Sequence, residues 1–528
     1  MFDTVIINGK IIDGSGSPPY PGHVGIKGDR ISKIEVGPPL IGNRVIDAEG
    51  MMVCPGFVDI HGHSDYFLLI NPQAESKVRQ GVTTEIGGNC GYSAAPIFGE
   101  EADERKAEYR RQFSLDLNWH TVEEYNNLLE RTGISINFAL LAGHNTIRAS
   151  VMGKENREPG RRELQIMCST LEKSMGEGAF GLSTGLIYPP ACFSKKDEMV
   201  ALNDVVRGRK GVFATHIRSE DDSVLEAINE VVEIAKDACV SLQISHLKTS
   251  RKRNWDKLDR MIEIIEKARE EGTDITCDRY PYIASNTGLQ AILPNWALEG
   301  DKKIRISRLK DKALRKKMGD EIFKKHPEPD YWKTVVISTV ASEKTKEYEG
   351  ISIAESAEMA GKEPFDLAID ILIEEELNIS ANYFTMCEEN LIEIYRKPYT
   401  AIGSDAACRA HYGPLAEGKP HPRAFGTFPR VLGRYVREKG IMDLPTAVKK
   451  MTSDPCRKIG IPKRGELREG FYADVVIFNS DTIIDKATFS QPVQYPEGIE
   501  YVIVNGNVTV EKGKHTGCRG GKVLKKDN

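Results

Sequence analysis

Along the middle of the chain, short runs of apolar residues alternate with longer charged stretches whose apolar residues recur every three or four positions. The short runs are typical of buried strands, and the longer stretches are typical of helices with one buried face. The predicted strands are residues 57–61, 84–88, 137–142, 180–184, 212–216, 241–246, 274–278 and 400–405. Because alternating strands and helices form parallel sheets, eight such units predict an α/β fold, a (β/α)8 TIM-like barrel.

Two further strand-like runs, residues 334–338 and 378–383, exceed the eight strands of such a barrel. We assign them to an insertion around residues 290–395, between the seventh and eighth strands. The helices predicted between the strands include residues 223–238 and 254–271, the second with apolar residues near helical spacing.

Both ends of the chain show a different pattern, with short strands separated by Gly, Pro and Asn turns. The predicted terminal strands include residues 4–7, 23–26, 31–34, 474–478 and 501–508. Neither end could bury much of a core alone. We therefore predict one small β-sandwich domain formed by residues 1–54 and 455–528, and a (β/α)8 barrel formed by residues 55–454.

The composition excludes some partners. The 528 residues include 72 Lys and Arg against 77 Asp and Glu, a net charge of −5, so neither nucleic acid nor an anionic membrane is an expected partner. The ten cysteines are scattered without paired spacing, which favours a reducing compartment. The N-terminus lacks the pattern of a signal peptide, and no run approaches the roughly 18 apolar residues of a membrane span. We expect a soluble cytoplasmic protein, and a homo-oligomer stays open.

Polar side chains follow five of the predicted barrel strands, at the end where barrel active sites lie. His61 and His63 follow the first strand, and residues two apart on a strand point to the same face, so both can reach one metal ion. Any one of these side chains alone would more often be structural, but together they predict a metal site. The set is His61, His63, Cys90, His216, His246 and Asp405. Imidazole with thiolate suits zinc, whereas carboxylate oxygen alone would suit magnesium or calcium.

The motifs that carry these residues occur in a characteristic order. They are residues 61–63, 81–91, 181–188, 215–220, 245–248, 403–405, 420–430, 494–499 and 504–506. They resemble the motifs of the N-acyl-D-amino-acid deacylases (D-aminoacylases) of the amidohydrolase superfamily, over nearly the whole chain. The cysteine motif Gly88-Asn89-Cys90-Gly91 and the Pro-His-Pro-Arg…Gly-Thr-Phe-Pro-Arg segment of residues 420–430 are the most specific.

The resemblance implies zinc-dependent hydrolysis of the amide bond of an N-acyl-D-amino acid, which releases a carboxylate and a free D-amino acid. It implies one tightly held zinc on Cys90, His216 and His246, and a second, weaker position near His61, His63 and Asp405. Many members of the superfamily bridge two metals with a carboxylated lysine after the fourth strand. This strand ends Leu182-Ser183-Thr184 without a lysine, so Cys90 is expected to take the bridging role.

Further roles follow from the resemblance. Asp405 is expected to accept a proton from water and deliver it to the leaving nitrogen, although in another context it would be a strand-end cap. Lys248 and Arg423 match positions that look like binders of the substrate α-carboxylate, and would otherwise be surface charges. Tyr282 is expected either near the reacting carbonyl or in the core. Tyr188 is expected to shape the side-chain pocket.

Three rival functions stay open. A dipeptidase that releases a C-terminal D-residue would need the same chemistry, and a cyclic-amide hydrolase of the dihydroorotase or hydantoinase kind would share the superfamily motifs. A catalytically silent scaffold would show lost ligands, and none is lost. Residues 406–419 are longer than the family pattern, which could change the size of the substrate or form a lid. The preference for D over L rests on the resemblance alone.

Overall fold

A barrel of parallel strands forms the centre of the protein in a computed structural model, which describes residues 1–526. The strands are Phe57–Asp59, Val82–Gly87, Asn137–Leu140, Gly181–Gly185, Val212–His216, Ser241–Ile244, Ile275–Arg279 and Thr400–Ile402. Each of them lies within or next to a predicted strand, because a strand buried on both faces leaves a short, continuous apolar run in the sequence.

The barrel closes at two places. The third strand pairs with the second and continues as Ala142–Gly143, which pairs with the fourth strand. The first and last strands meet through a bridge between Gly62 and Ala406 and through a hydrogen bond of 2.7 Å from Asp405 N to His61 O. We call this junction of residues 59–65 and 402–408 the closing seam. The predicted (β/α)8 barrel is confirmed.

Helices cover the outside of the barrel. The helix Val224–Ala238 is an example, since its buried Ile228, Val231 and Ala235 recur at three- and four-residue spacing and pack on the barrel. The helices outside the insertion are Phe67–Ile70, Glu75–Val78, Gly99–Phe113, Val122–Thr132, His144–Met152, Arg161–Gly176, Lys196–Gly208, Val224–Ala238, Leu258–Glu270, Glu388–Arg396, Arg423–Arg430, Leu444–Met451 and Ser453–Ile459, with a π-helix at Val431–Glu438 and short 3₁₀ turns at Ala191–Phe193, Lys252–Lys257 and Gly413–Ala416.

A separate small unit is inserted between the seventh and eighth barrel strands. Its antiparallel sheet has the order Ser285–Gly288, Ser380–Tyr383, Val335–Thr339, so the two surplus strands of the sequence lie here. Its helices are Lys302–Lys310, Lys312–Lys325, Ile353–Ala360 and Pro364–Glu374, with 3₁₀ turns at Leu289–Ile292, Asn295–Leu298, Tyr331–Thr334 and Lys346–Tyr348. The first two helices begin where Asp301 and Asp311 accept backbone N–H groups. The unit buries a hydrophobic core of its own.

The two chain ends build one nine-stranded sheet. Its strands are Phe2–Ile11, Tyr20–Lys27, Arg30–Glu35, Gly42–Asp47, Met52–Pro55, Val475–Phe478, Ile499–Val504, Asn507–Glu511 and Lys514–His515. The ends join where Met52–Pro55 runs antiparallel to Val475–Phe478. Side chains from both ends, such as Val24 and Ile503, share one core. The predicted terminal β domain is thus confirmed, while its limits at residues 54 and 455 stay a prediction.

Across residues 1–526, every helix is too short or too polar to span a lipid bilayer.

Candidate metal centre and active site

Side chains from the carboxyl ends of five barrel strands converge in one cleft. They form two groups, His61, His63, Cys90 and Asp405, and Cys90, His216 and His246, in each of which the ligand atoms lie within 4.8 Å of one another. All six residues that the sequence nominated for a metal site are therefore brought together. Cys90 belongs to both groups, so its sulfur is the atom that two metal positions could share.

The distances place the Cys90 sulfur between the histidines. Sγ lies 3.3 Å from His61 Nε2 and 3.5 Å from His246 Nε2. Asp405 Oδ1 lies 3.5 Å from the same His61 Nε2 atom and 3.0 Å from His63 Nε2. These contacts leave one carboxylate, one thiol and several imidazole nitrogens facing a common volume.

Three of these residues have a left-handed backbone. The φ angles are 53° for Cys90, 36° for His246 and 51° for Asp405. A non-glycine residue in this region is disfavoured by sterics, and such residues cluster at functional sites. Gly91 lets the chain turn sharply after Cys90, because a Cβ there would lie 1.8 Å from Asn145 Oδ1. The turn that aims the sulfur inward therefore depends on a glycine.

The donor set fits a zinc ion. Both ring nitrogens of His216 are buried and find no hydrogen-bond partner among residues 1–526, which is costly unless a ligand satisfies them. Burial raises the pKa of the Cys90 thiol, but the neighbouring His61 and His246 outweigh it and hold that pKa well below its usual value. A thiolate with imidazoles is the donor combination that zinc prefers.

The buried Asp278 and the partly buried Glu220 orient the histidines, and sequence reasoning gave neither of them a role. Asp278 Oδ1 lies 3.0 Å from His61 Nδ1 and accepts the backbone N–H of His246 at 2.9 Å. Glu220 Oε1 lies 3.1 Å from His246 Nδ1. The sequence offered only weak signals for these two roles. Asp278 lies near the end of a barrel strand, and Glu220 is the last residue of the motif of residues 215–220.

The two cations expected to bind substrate also reach the cleft, and each is paired with a carboxylate. Lys248 Nζ is bonded to Glu220 and lies 2.9 Å from His246 Nδ1. Arg423 Nη1 lies 2.6 Å from Asp405 Oδ2. Burial raises the pKa of Asp405, but Arg423 and the histidines outweigh it and lower that pKa well below its usual value. Burial also raises the pKa of Glu220, but Lys248 and the neighbouring histidines outweigh it and lower that pKa well below its usual value, so both carboxylates are held in the ionised form.

Tyr282 does not face the six candidate metal ligands. It therefore does not take the first of its two expected positions, the one near the reacting carbonyl. Its hydroxyl lies 3.3 Å from Asp485 Oδ2 and 3.4 Å from Pro422 O, because the C-terminal segment offers it polar partners. Tyr280 from the same motif lies in the cleft instead, with its ring 4.6 Å from the Arg423 guanidinium and 5.9 Å from Lys248 Nζ. Its hydroxyl is buried without a hydrogen-bond partner in the described part of the chain, so Tyr280 is a candidate that sequence reasoning missed.

Tyr188 stands beside the metal centre. Its ring centroid lies 4.9 Å from that of His216, and its hydroxyl lies 3.1 Å from Thr287 Oγ1 of the insertion. Residues 406–419 also connect barrel and insertion, since Lys419 N donates to Ser338 O at 2.8 Å. The insertion therefore contributes to one wall of the cleft.

Known proteins are similar to this chain over nearly its whole length. A family model described as "Amidohydrolase family" matches residues 44–510. A D-aminoacylase of Alcaligenes xylosoxydans xylosoxydans is 32% identical over 530 residues, covering 99% of this chain and 97% of that protein. An N-acyl-D-glutamate deacylase of the same organism is 33% identical over 528 residues, covering 100% and 97%. The crystal structure of N-acyl-D-glutamate deacylase from Bordetella bronchiseptica, complexed with zinc and a phosphonate inhibitor that mimics the tetrahedral intermediate, is 32% identical, with a TM-score of 0.84 over 99% of both chains.

The chain belongs to the amidohydrolase family and is a metal-dependent amidohydrolase. The resemblance to the D-aminoacylases that the motifs predicted is confirmed by full-length identities of 32% and 33%.

Proposed function

We propose that this protein hydrolyses the amide bond of N-acyl-D-amino acids with zinc as its cofactor. The relatives support the reaction class, since they include a D-aminoacylase and an N-acyl-D-glutamate deacylase whose solved homologue holds zinc. The observation that carries the proposal is the Cys90 sulfur shared by two ligand groups. The tight site would use Cys90, His216 and His246, and the weaker one His61, His63 and Asp405.

Zinc, when bound, would acidify a water molecule and polarise the acyl carbonyl. The protein side chains do the rest. The Asp405 carboxylate lies beside both histidines of the closing seam and is ionised, so it can take the proton from water and give it to the leaving nitrogen. Asp278 fixes the ring of His61 by accepting from its Nδ1.

The substrate α-carboxylate would bind between Arg423 and Lys248. Arg423 offers a planar fork and Lys248 a point charge, and both are more than nine-tenths buried, where charge-assisted hydrogen bonds are strong. Because Arg423 already pairs with Asp405, the incoming carboxylate must share or displace that partner. The Tyr280 hydroxyl, which has no hydrogen-bond partner among residues 1–526, is a further donor in this part of the cleft. Tyr188 would contact the amino-acid side chain.

Two alternatives are less well supported. A cyclic-amide hydrolase of the hydantoinase kind would use a carboxylated lysine after the fourth strand, and Gly181–Gly185 contains Ser183 and Thr184 instead. A silent scaffold is disfavoured because all six nominated ligands converge. A dipeptidase acting before a C-terminal D-residue needs the same groups, so it enters the test as a second substrate class.

The test uses purified zinc-loaded protein and paired N-acetyl-D- and N-acetyl-L-amino acids with neutral and acidic side chains. Release of the free amine is measured, with a D,D-dipeptide series in parallel. We expect hydrolysis of the D-substrates and at least about 100-fold lower kcat/KM for the L-partners, a difference of roughly 3 kcal/mol in transition-state binding. Equal or L-preferring hydrolysis would contradict the stereochemical part of the proposal. Absence of turnover on every amide would contradict the reaction.

The substrate is a small molecule, as for the named relatives. A cytoplasmic location is also proposed; the ten free cysteines, all within the described residues, support a reducing compartment. The exclusion of nucleic acid and membrane remains a prediction from composition, and a homo-oligomer stays open.

A further inference from the structure

Glu220 is a partly buried carboxylate in the metal centre that the proposed reaction does not use. It lies four residues after His216, and its side chain is only 14% exposed. One oxygen, Oε1, lies 3.1 Å from His246 Nδ1 and 3.5 Å from His216 Nε2, and it is also bonded to Lys248 Nζ. A single carboxylate oxygen therefore contacts three of the functional side chains.

His246 has two rival partners at the same ring nitrogen. Lys248 Nζ lies 2.9 Å from Nδ1, close to the distance of the Glu220 oxygen. The other nitrogen, Nε2, lies 3.5 Å from Cys90 Sγ and thus faces the metal position. The two partners make opposite demands, because an ammonium only donates hydrogen bonds and an ionised carboxylate only accepts them.

These demands select different tautomers of the neutral ring. If Lys248 donates to Nδ1, the single proton of the imidazole must sit on Nε2, and a protonated nitrogen cannot bind a metal. If Nδ1 carries the proton and donates to Glu220, the lone pair of Nε2 is free to face Cys90 and the metal. The tautomer of His246 therefore depends on which neighbour engages Nδ1.

We propose that Glu220 is the positioning residue that selects the metal-binding tautomer of His246. Its carboxylate accepts from Nδ1–H and from the Lys248 ammonium together, so Lys248 is kept from donating to the ring. This inference rests on the proposed zinc site. Glu220 also holds Lys248 in the cleft, where the substrate α-carboxylate would meet it.

The lysine makes this role testable, since Glu220 should matter for zinc only while Lys248 is present. Zinc affinity is measured by chelator competition on the full-length protein, with zinc alone as the probe. Glu220→Gln should weaken zinc binding about 10- to 100-fold, the usual effect of losing such a partner. Lys248→Met should leave zinc affinity within about threefold of the wild type, as for an uncoupled site. The double variant should recover the affinity of Lys248→Met, because the rival donor is gone.

A matched control is provided by Glu198. It is a buried glutamate that also pairs with a histidine and a cation, His144 at 2.7 Å and Arg148 at 3.0 Å, and it belongs to neither ligand group. Glu198→Gln should leave zinc affinity unchanged. Wild-type zinc affinity in Glu220→Gln, or a double variant weaker than Lys248→Met, would overturn the proposal. If Glu220→Gln does not fold, comparing the zinc affinity of the double variant with that of Lys248→Met still tests the proposal. Because these measurements use zinc and no substrate, their outcome is independent of the test for hydrolysis of N-acyl-D-amino acids.

Discussion

At the scale of single residues, Cys90 has the position that links the two ligand groups. We expect Cys90→Ala to lose the tightly held zinc, because the replacement removes the one thiolate and the shared ligand at once. Metal content after dialysis is the measurement. Cys192→Ala is the control, since that half-buried thiol lies outside both groups and burial raises its pKa to about 12. Full zinc content in Cys90→Ala would remove this cysteine from the site.

Asp405→Ala separates proton transfer from metal binding. Loss of the proton acceptor should lower kcat by about 10²- to 10⁴-fold. Zinc bound by Cys90, His216 and His246 should remain, because Asp405 is not part of that group. Steady-state kinetics and metal content on the same preparation check both statements, and turnover close to wild type would exclude Asp405 from the chemistry.

Arg423→Gln should weaken recognition of the substrate α-carboxylate. A lost hydrogen bond to a charged group costs about 1.5–3 kcal/mol, so kcat/KM for an N-acyl-D-amino acid should fall roughly 10- to 150-fold. Arg430→Gln is the matched control, since Arg430 makes a similar ion pair with Asp485 at 2.9 Å. An equal loss in both variants would indicate a general effect on folding rather than on binding.

Residue positions were predictable to different degrees. His61 and His63 could be predicted because strand geometry puts residues two apart on one face. The choice between Tyr280 and Tyr282 could not, because it depends on the path of a loop and on the distant Asp485. The partner of His246 was equally hidden, because Glu220 lies in the loop after the neighbouring strand Val212–His216 and only the folded barrel brings it to the ring.

At the scale of elements, the closing seam is fixed by a fully buried lysine. Lys77, from the short helix Glu75–Val78, donates to Asp59 Oδ2 at 2.6 Å, to Ser404 Oγ at 2.8 Å and to Ala406 O at 2.7 Å. It thereby joins the first strand to the segment that carries Asp405. In the sequence, Lys77 looks like any other charged residue on a helix. Neither its burial nor its contacts across the closing seam could therefore be predicted.

Lys77→Met should destabilise the protein strongly. The change leaves the buried carboxylates of Asp59 and Glu85 without their cation, and breaking a buried pair in this way costs about 3–5 kcal/mol. Lys196→Met is the control, because that lysine pairs with exposed Glu233 and Asp237 and should cost less than about 1 kcal/mol. Urea unfolding of both variants measures the difference, and equal free energies of unfolding would contradict this role of Lys77.

At the scale of the whole molecule, a histidine connects the insertion to the barrel. His326 Nε2 lies 3.3 Å from Arg251 Nη2, and its ring stacks on Tyr331 at 4.4 Å. Burial, followed by the charges of Arg251 and Lys325, lowers the pKa of His326 to about 3. The unfolded chain has a His pKa of about 6.5 and therefore binds more protons than the folded protein between these values.

The contribution of His326 to stability is thus complete above about pH 6.5 and is lost as the pH falls towards 3. We expect His326→Phe, which keeps the ring on Tyr331, to lose less thermal stability than the wild type between pH 7 and pH 5. The measurement is Tm at both pH values for both proteins. An equal fall in Tm would show that His326 does not contribute to acid sensitivity.

The pairing of the two chain ends was predictable, because neither end has enough apolar residues for a core. One contact of the C-terminal segment, residues 522–524, was not predictable. The backbone of residues 522–524 pairs with Phe138 of the third barrel strand, through Phe138 N to Lys522 O and Leu524 N to Phe138 O. In the sequence, Val523 and Leu524 are a run of only two apolar residues between glycines and lysines, which is too short to predict a strand. The conformation of this segment is therefore defined by the barrel strand with which it pairs.

The closing seam also bears on the order in which a growing polypeptide could acquire metal. Cys90, His216 and His246 have all left the ribosome long before Asp405 is synthesised. The three-residue group can therefore be complete while the barrel is still open, whereas the group with His61 and His63 must wait for its carboxylate. If zinc is captured during translation, the first ion would enter the Cys90, His216 and His246 position, and the second would follow only after ring closure.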